Sequence, residues 1–249
     1  IKNVEISIPQ YGFNKTSQED GMITFNTSQK KLEKITLNNF NIKGTNYHAS
    51  GNGILIPKNN NYSFSALKFN KLQFNKNDLN ISYINLPSEV KLEVKGKSLD
   101  LTNIDINRLF KESKSKKKNI DVSFKNDIVY MKNSEKINDL IVGINCTPNI
   151  CKYVNIYGKL SQNNFVAASI KPIGDRSSML IESDNAGVLL KALGLSKNII
   201  EGRLNVQSIS RKIDKNNVAK GVMKISKFTV IKTPVLGKLL SLASLKGIA

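Results

Sequence analysis

The sequence predicts a mainly β protein built on an antiparallel sheet. Three observations lead there. Apolar residues recur with period two along most of the 249 residues. Asn, Gly, Lys and Pro clusters punctuate those runs at near-regular spacing, and helical patterns are confined to three short segments.

The elements follow in order. Val4, Ile6 and Ile8 share one face of a first strand. Ile35/Leu37 and Phe40/Ile42 alternate in the next run, with a slip of phase between the two pairs. In "YSFSALKFNKLQFN", Tyr62/Phe64 give way to Leu67/Phe69 and then Leu72/Phe74, so the phase slips twice more. Such slips imply bulges, because a one-residue shift sends every later side chain to the other face. Leu79/Ile81/Tyr83 and Val90/Leu92/Val94 alternate cleanly, as do Ile120/Val122/Phe124, Ile128/Tyr130, Leu204/Val206 and Met223/Ile225. Residues 51–53, 57–61 and 215–217 are expected as turns.

Three segments have helical spacing. Residues 101–113 are expected to enter a short helix after Asn103 or Asp105. In 183–195, Ser183, Asp184 or Asn185 can cap a helix whose Val188, Leu189, Ala192 and Leu193 share a stripe, and Gly194 can end it. In 233–248, Thr233 caps, Pro234 takes the first helical position, and Leu236, Leu239, Leu240 and Ala243 align.

Composition narrows the class. With 40% hydrophobic and 23% charged residues, the chain is neither disordered nor membrane-integral. No run reaches the ~18 consecutive apolar residues of a spanning helix. No leader pattern precedes Ile1, so the chain is read as a fragment of a longer protein, its export signal or anchor lying outside. The basic run 111–119 is a candidate internal junction, but strands continuing across it in one sheet would make 1–249 a single elongated domain.

Thirty-eight Lys and Arg against 19 Asp and Glu give a formal charge of +19. A nucleic acid would suit that charge, but the lysines are scattered, aromatics are only 7% and Trp is absent, so a stacking platform is missing and no nucleic-acid partner is expected. No motif for catalysis, phosphate binding or a metal centre occurs. His48 has no nucleophile or carboxylate pattern around it, and "ASGNG" is not followed by a helix as a phosphate cradle requires. The chain is therefore read as a non-enzyme without cofactor, a hydrolase relying on His48 being the weakest alternative. Cys146 and Cys151 flank a Thr-Pro-Asn turn. A hairpin there would bring their Cα atoms into the ~4.4–6.8 Å window of a disulfide. Free thiols or metal ligation are the other readings; a disulfide would place the chain in an oxidising compartment such as a periplasm.

Residues 181–207 and 221–248 resemble the C-terminal region of the AsmA-like superfamily of Gram-negative envelopes. Asp184, Ala186, Gly187, Leu189, Leu190, Leu193 and Gly194 match the family's helix pattern, Gly202 and Leu204 the strand after it, and Phe228, Pro234, Leu236, Leu239, Leu240, Ser244, Gly247 and Ile248 the final block. Residues 94–110 resemble the preceding unit, and the cysteine turn has counterparts; before about residue 85 only the β pattern continues. The Lys/Asn bias departs from the family without touching motif positions. The resemblance implies an extended, curved antiparallel sheet forming an apolar groove, with two or three short helices on the sheet or groove edge. It implies a periplasmic segment of an inner-membrane-anchored protein that binds or conducts phospholipid toward the outer membrane, membrane contact being made outside this fragment. Val122, Phe124, Leu204, Val206, Met223 and Ile225 are the expected groove residues, and Leu236, Leu239 and Leu240 would cover the groove from the last helix. The alternative is a structural or interaction module of the envelope whose core is filled by its own side chains.

Overall fold

The computed structural model describes residues 5–8, 13–30, 34–58, 61–104, 118–161, 164–213 and 216–231. It is mainly β. Strands β1 (Ile6–Ile8) and β2 (Phe13–Lys15) form a small two-stranded sheet. A single thirteen-stranded sheet takes the rest: β3 (Gly21–Lys30), β4 (Lys34–Gly44), β5 (Tyr47–Lys58), β6 (Asn61–Phe74), β7 (Asn77–Asn85), β8 (Glu89–Asp100), β9 (Asn119–Tyr130), β10 (Lys136–Cys146), β11 (Cys151–Lys159), β12 (Phe165–Ile173), β13 (Arg176–Ser183), β14 (Ile199–Ile213) and β15 (Asn216–Val230). Their spatial order is their chain order, and the sheet is not closed into a barrel.

Twelve contacts join the thirteen strands, and eleven are antiparallel; β8 and β9 run parallel. Antiparallel neighbours need only a tight turn, whereas a parallel pair needs a connection that retraces the strand. Each of these two strands has 12 residues, or about 40 Å of rise. The 18 residues of 101–118 can span that return, since an extended chain covers up to ~3.6 Å per residue. The sheet thus continues without a gap past the basic run 111–119.

Among the described residues there is one α-helix, α1 (Ala186–Ala192). Asn185 is its cap and accepts a hydrogen bond from Val188 N at 3.0 Å. The two other candidates are used differently. Asp184 accepts from Phe165 N at 2.7 Å, and Ser183 Oγ donates to Phe165 O at 2.8 Å, so both tie the helix entry to β12. Gly194 ends the helix with φ 72°, as the spacing anticipates. The turn Lys132–Ser134 braces the other end, where Asn133 Nδ2 donates to Lys191 O at 2.7 Å and Lys191 Nζ pairs with Glu135 at 2.6 Å. Replacing Asn185 by Ala should cost about 1 kcal/mol, read as a lower denaturant midpoint at unchanged slope; an unchanged midpoint would show the cap idle.

The core lies where α1 meets the sheet. Ala186, Leu189 and Ala192 pack on Val129, Met131, Ile137, Leu140, Leu160, Val166 and Leu204, all buried. A second anchorage holds the opposite end of the sheet. Phe13 of β2 sets its ring edge-on to Tyr47 and Phe74, with centroids 5.4 and 5.8 Å apart.

One sequence expectation changes. Residues 51–53 are not a turn but the middle of β5. The reason is packing: a Cβ on Gly51 would stand 1.8 Å from Lys68 O and 3.0 Å from the Phe40 ring. Of the expected helix at 101–113, only 101–104 is described, as a turn in which Asp100 Oδ1 accepts from Thr102 N and Oγ1 at 3.0 and 2.6 Å. The expected helix at 233–248, with Leu236, Leu239 and Leu240, lies outside the described residues.

Candidate functional site

Strand register builds a feature that no single strand contains. Starting at one edge of the sheet, direct cross-strand partners run Phe25, Phe40, Gly51, Phe69, Ile81, Val94 and Phe124. They continue through Val142, Ile156, Ala168, Ile181, Val206 and Met223 to the other edge. Directly opposed residues point to the same face. Thirteen strands thus contribute one unbroken apolar line, glycine at β5 being its only position without a side chain. With strands about 4.8 Å apart, the line is about 60 Å long.

Parallel lines flank it. On one side lie Val122, Ile144, Val154, Ile170 and Met179, joined by direct register. On the other lie Leu140, Val166, Leu204 and Ile225 with their partners. All six expected groove residues fall on this one face: Phe124, Val206 and Met223 in the central line, Val122 in the first flank, Leu204 and Ile225 in the second.

The two flanks differ in cover. Leu140, Val166 and Leu204 are buried in the cluster that α1 closes, and Phe124, Val206, Met223 and Ile225 pack against its margin. Val122, Ile144, Val154, Ile170 and Met179 stay half-buried and outside that cluster. At the β3 edge the face is barer still, with Phe25 65% and Ile23 42% exposed.

Bulges keep the apolar residues on this face through the N-terminal half. Register shifts occur between Leu37 and Phe40, between Phe69 and Leu72, and where Leu55 pairs with Phe64. These coincide with the phase slips in the sequence. Across β5 the rings of Phe40 and Phe69 meet edge-to-face above Gly51, centroids 5.5 Å apart.

Buried polar side chains interrupt the apolar face: Ser183, between Val166 and Leu204, is satisfied by donating to Phe165 O, but Asn126 is not. Asn126, two residues beyond Phe124, is fully buried between Gly96 and Leu140, and neither its Oδ1 nor its Nδ2 has a hydrogen-bond partner. An amide held in that state costs about 1–3 kcal/mol. Asn126→Leu should therefore raise stability by a similar amount, measured as a higher denaturant midpoint; a lower midpoint would contradict this account. Among the described residues, the buried Tyr47 hydroxyl at the β2 anchorage likewise has no hydrogen-bond partner. Burial first, and the Glu19 carboxylate second, raise its phenol above the ordinary range.

The opposite face is more polar, although Ile141, Tyr153 and Tyr157 stand exposed on it. Its register line runs Lys68, Ser82, Glu93, Ser123, Gly143, Asn155 and Ser169. Depressions of ≈ 490 and ≈ 810 Å³ lie on this side, the first where Ser123, Gly143, Asn155 and Ser169 leave room. Ile141, Tyr157 and Leu180 also line the first, and Leu180, Ile209, Val218 and Val222 the second.

Cys146 and Cys151 form a disulfide across the β10–β11 hairpin. Their Cα atoms are 3.7 Å apart, closer than the usual window, at a register shift between Asn145 and Cys146. Thr147 closes the turn, its N donating to Ile150 O at 2.8 Å and its Oγ1 at 2.9 Å. His48 Nε2 lies 2.9 Å from Asn41 Oδ1, an amide oxygen rather than a nucleophile. Among the described residues no cluster of His, Cys, Asp or Glu could hold a metal ion, and no helix is long and apolar enough to cross a membrane. No protein-family model, curated protein or solved structure matches the chain.

Proposed function

We propose that the chain is a periplasmic segment of an AsmA-like envelope protein and that its apolar face binds phospholipid acyl chains and lets them pass along the sheet. The observation that carries this reading is the thirteen-strand apolar line with one flank left uncovered by α1. An antiparallel sheet commonly solvates one face and covers the other, and here the polar face is the solvated one. Each CH₂ moved from water onto an apolar surface gains roughly 0.8 kcal/mol. A pair of acyl chains is then held without specific polar contacts, and moving by one strand exchanges one set of apolar contacts for an equivalent set. A hydrocarbon leaflet is about 15 Å deep, so a line of about 60 Å accommodates several lipids in file. The disulfide fits an oxidising compartment. Anchoring in the inner membrane belongs to the same reading and rests on the resemblance.

A second reading has its own support. The α1 cluster and the Phe13 anchorage show the chain filling part of this face with its own side chains. A structural envelope module would extend that filling over the whole face. The two separate on extraction of the purified protein with organic solvent and mass spectrometry. The lipid reading expects phospholipid in at least stoichiometric amount; protein that carries none and takes up none from vesicles would overturn it.

A further inference from the structure

The polar face changes character at its β12–β15 corner. Three register lines cross there. Arg176, Arg211 and Val218 are direct partners, as are Ser178, Ile209 and Lys220, and then Leu180, Gln207 and Val222. All belong to the face opposite the apolar line. Val222 is 71% exposed, Ile209 48% and Val218 43%; Ile141 and Tyr157 on the same face reach 48% and 46%, but no comparable group of cations is interleaved with them. The same side chains surround the depression of ≈ 810 Å³. The β12 strand adds Lys171 and the 57% exposed Ile173 beside them.

Cations and bare aliphatic side chains are thus interleaved around one shallow depression. Lys171, Arg176, Arg211 and Lys220 supply four positive charges, and Asp175 in the β12–β13 turn removes one, with its carboxylate 3.2 Å from Arg211 Nε and 3.8 Å from Arg176 Nε. Glu182 lies farther along β13, engaged by Asn205 Nδ2 at 3.1 Å. An acidic protein partner would complement the charges but gives no reason for the isolated exposed aliphatics. An anionic bilayer complements both, taking the aliphatic side chains into the headgroup boundary while the guanidinium and ammonium groups meet lipid phosphates.

We infer that this corner of the sheet docks on an anionic phospholipid bilayer. The inference goes beyond the lipid-carrying role of the other face and does not depend on it. It differs from the expectation that membrane contact is made only outside this chain. A bilayer held there lies beside the β15 end of the apolar line, where Met223 is the last residue.

The chain has no Trp, so a single introduced indole reports without background. Val222→Trp places it in the patch; Met22→Trp, 58% exposed on β3 at the far edge, is the control. With phosphatidylglycerol vesicles, Val222→Trp emission should shift to the blue while Met22→Trp emission stays put. Co-sedimentation should show about a 100-fold preference for phosphatidylglycerol over phosphatidylcholine vesicles, as three net charges near an anionic surface provide. Reversing Arg211 and Lys220 to Glu should remove most of that preference; reversing Lys95 and Lys125, on the same face but distant from the corner, should leave most of it. Equal shifts from both indoles, no shift from either, or equal losses from both charge reversals would overturn the inference by showing only the diffuse attraction of a basic chain, or none. Phospholipid on the apolar face is read separately by extraction, so either idea can fail alone.

Discussion

Ile170→Glu is expected to strip bound phospholipid from the protein while leaving it folded. Ile170 is half-buried in the uncovered flank, and no residue of the α1 cluster depends on it. A carboxylate there keeps much of its hydration in the lipid-free protein but is driven into hydrocarbon when a chain lies over it, a cost of several kcal/mol. Bound lipid per protein, by extraction and mass spectrometry, should fall below a tenth of wild type, with the unfolding midpoint little changed. Leu189→Ala is the counterpart. Leu189 is 4% exposed in the closed cluster, so its loss should cost about 2–5 kcal/mol and leave lipid on the surviving folded protein. If Ile170→Glu kept its full lipid complement, acyl chains do not lie on this flank. If it unfolded, the flank is core.

The second large effect is expected at Gly51. Adding one methyl there drives Cβ to 1.8 Å from the carbonyl oxygen of Lys68, which is backbone of the adjacent strand and has no rotamer to yield. Strands β5 and β6 must part locally, and the Phe40–Phe69 ring contact above Gly51 must open. Gly51→Ala should therefore cost about 3 kcal/mol, at the upper end for a single added group, although a mid-strand glycine is ordinarily a liability that alanine relieves. Thermal or denaturant unfolding decides it. A neutral or stabilising result would mean that the register shift between Ser50 and Gly51 can move to absorb the methyl.

Much of this was legible in the residues, and the reason is the strict period of a sheet. Alternation in β7, β8 and β9 reads directly, and the slips of phase around Phe40 and Phe69 foretell bulges at those places. The helix at 186–192 announces itself through its stripe, its cap group and Gly194. Less visible were β10, β12 and β13, where residues such as Ala167, Ala168 and Ser169 blur the contrast between faces. Gly51 and Gly53 read as turn residues because what crowds them, Phe40 and Lys68 at Gly51 and Phe64, Ala66 and Leu67 at Gly53, lies on neighbouring strands and not beside them in the chain. The transverse line is a property of register, and register between β8 and β9 follows from a parallel pairing that nothing in local alternation announces. Asn126 passed unnoticed for the same reason: an Asn in a strand looks solvent-facing until its neighbours across the sheet are known.

That parallel seam has a kinetic consequence. Most other neighbouring pairs can zip from a nearby turn, closing loops of a few residues, and β13 and β14 close over residues 184–198, which hold the local helix α1, while β8 and β9 must first close an 18-residue excursion. Two meanders, 21–100 and 119–230, can therefore form early and independently, with their joining as the late step. During synthesis the first meander can be complete before the second emerges, and until then β8 is a bare template on which a stranger's strand could settle.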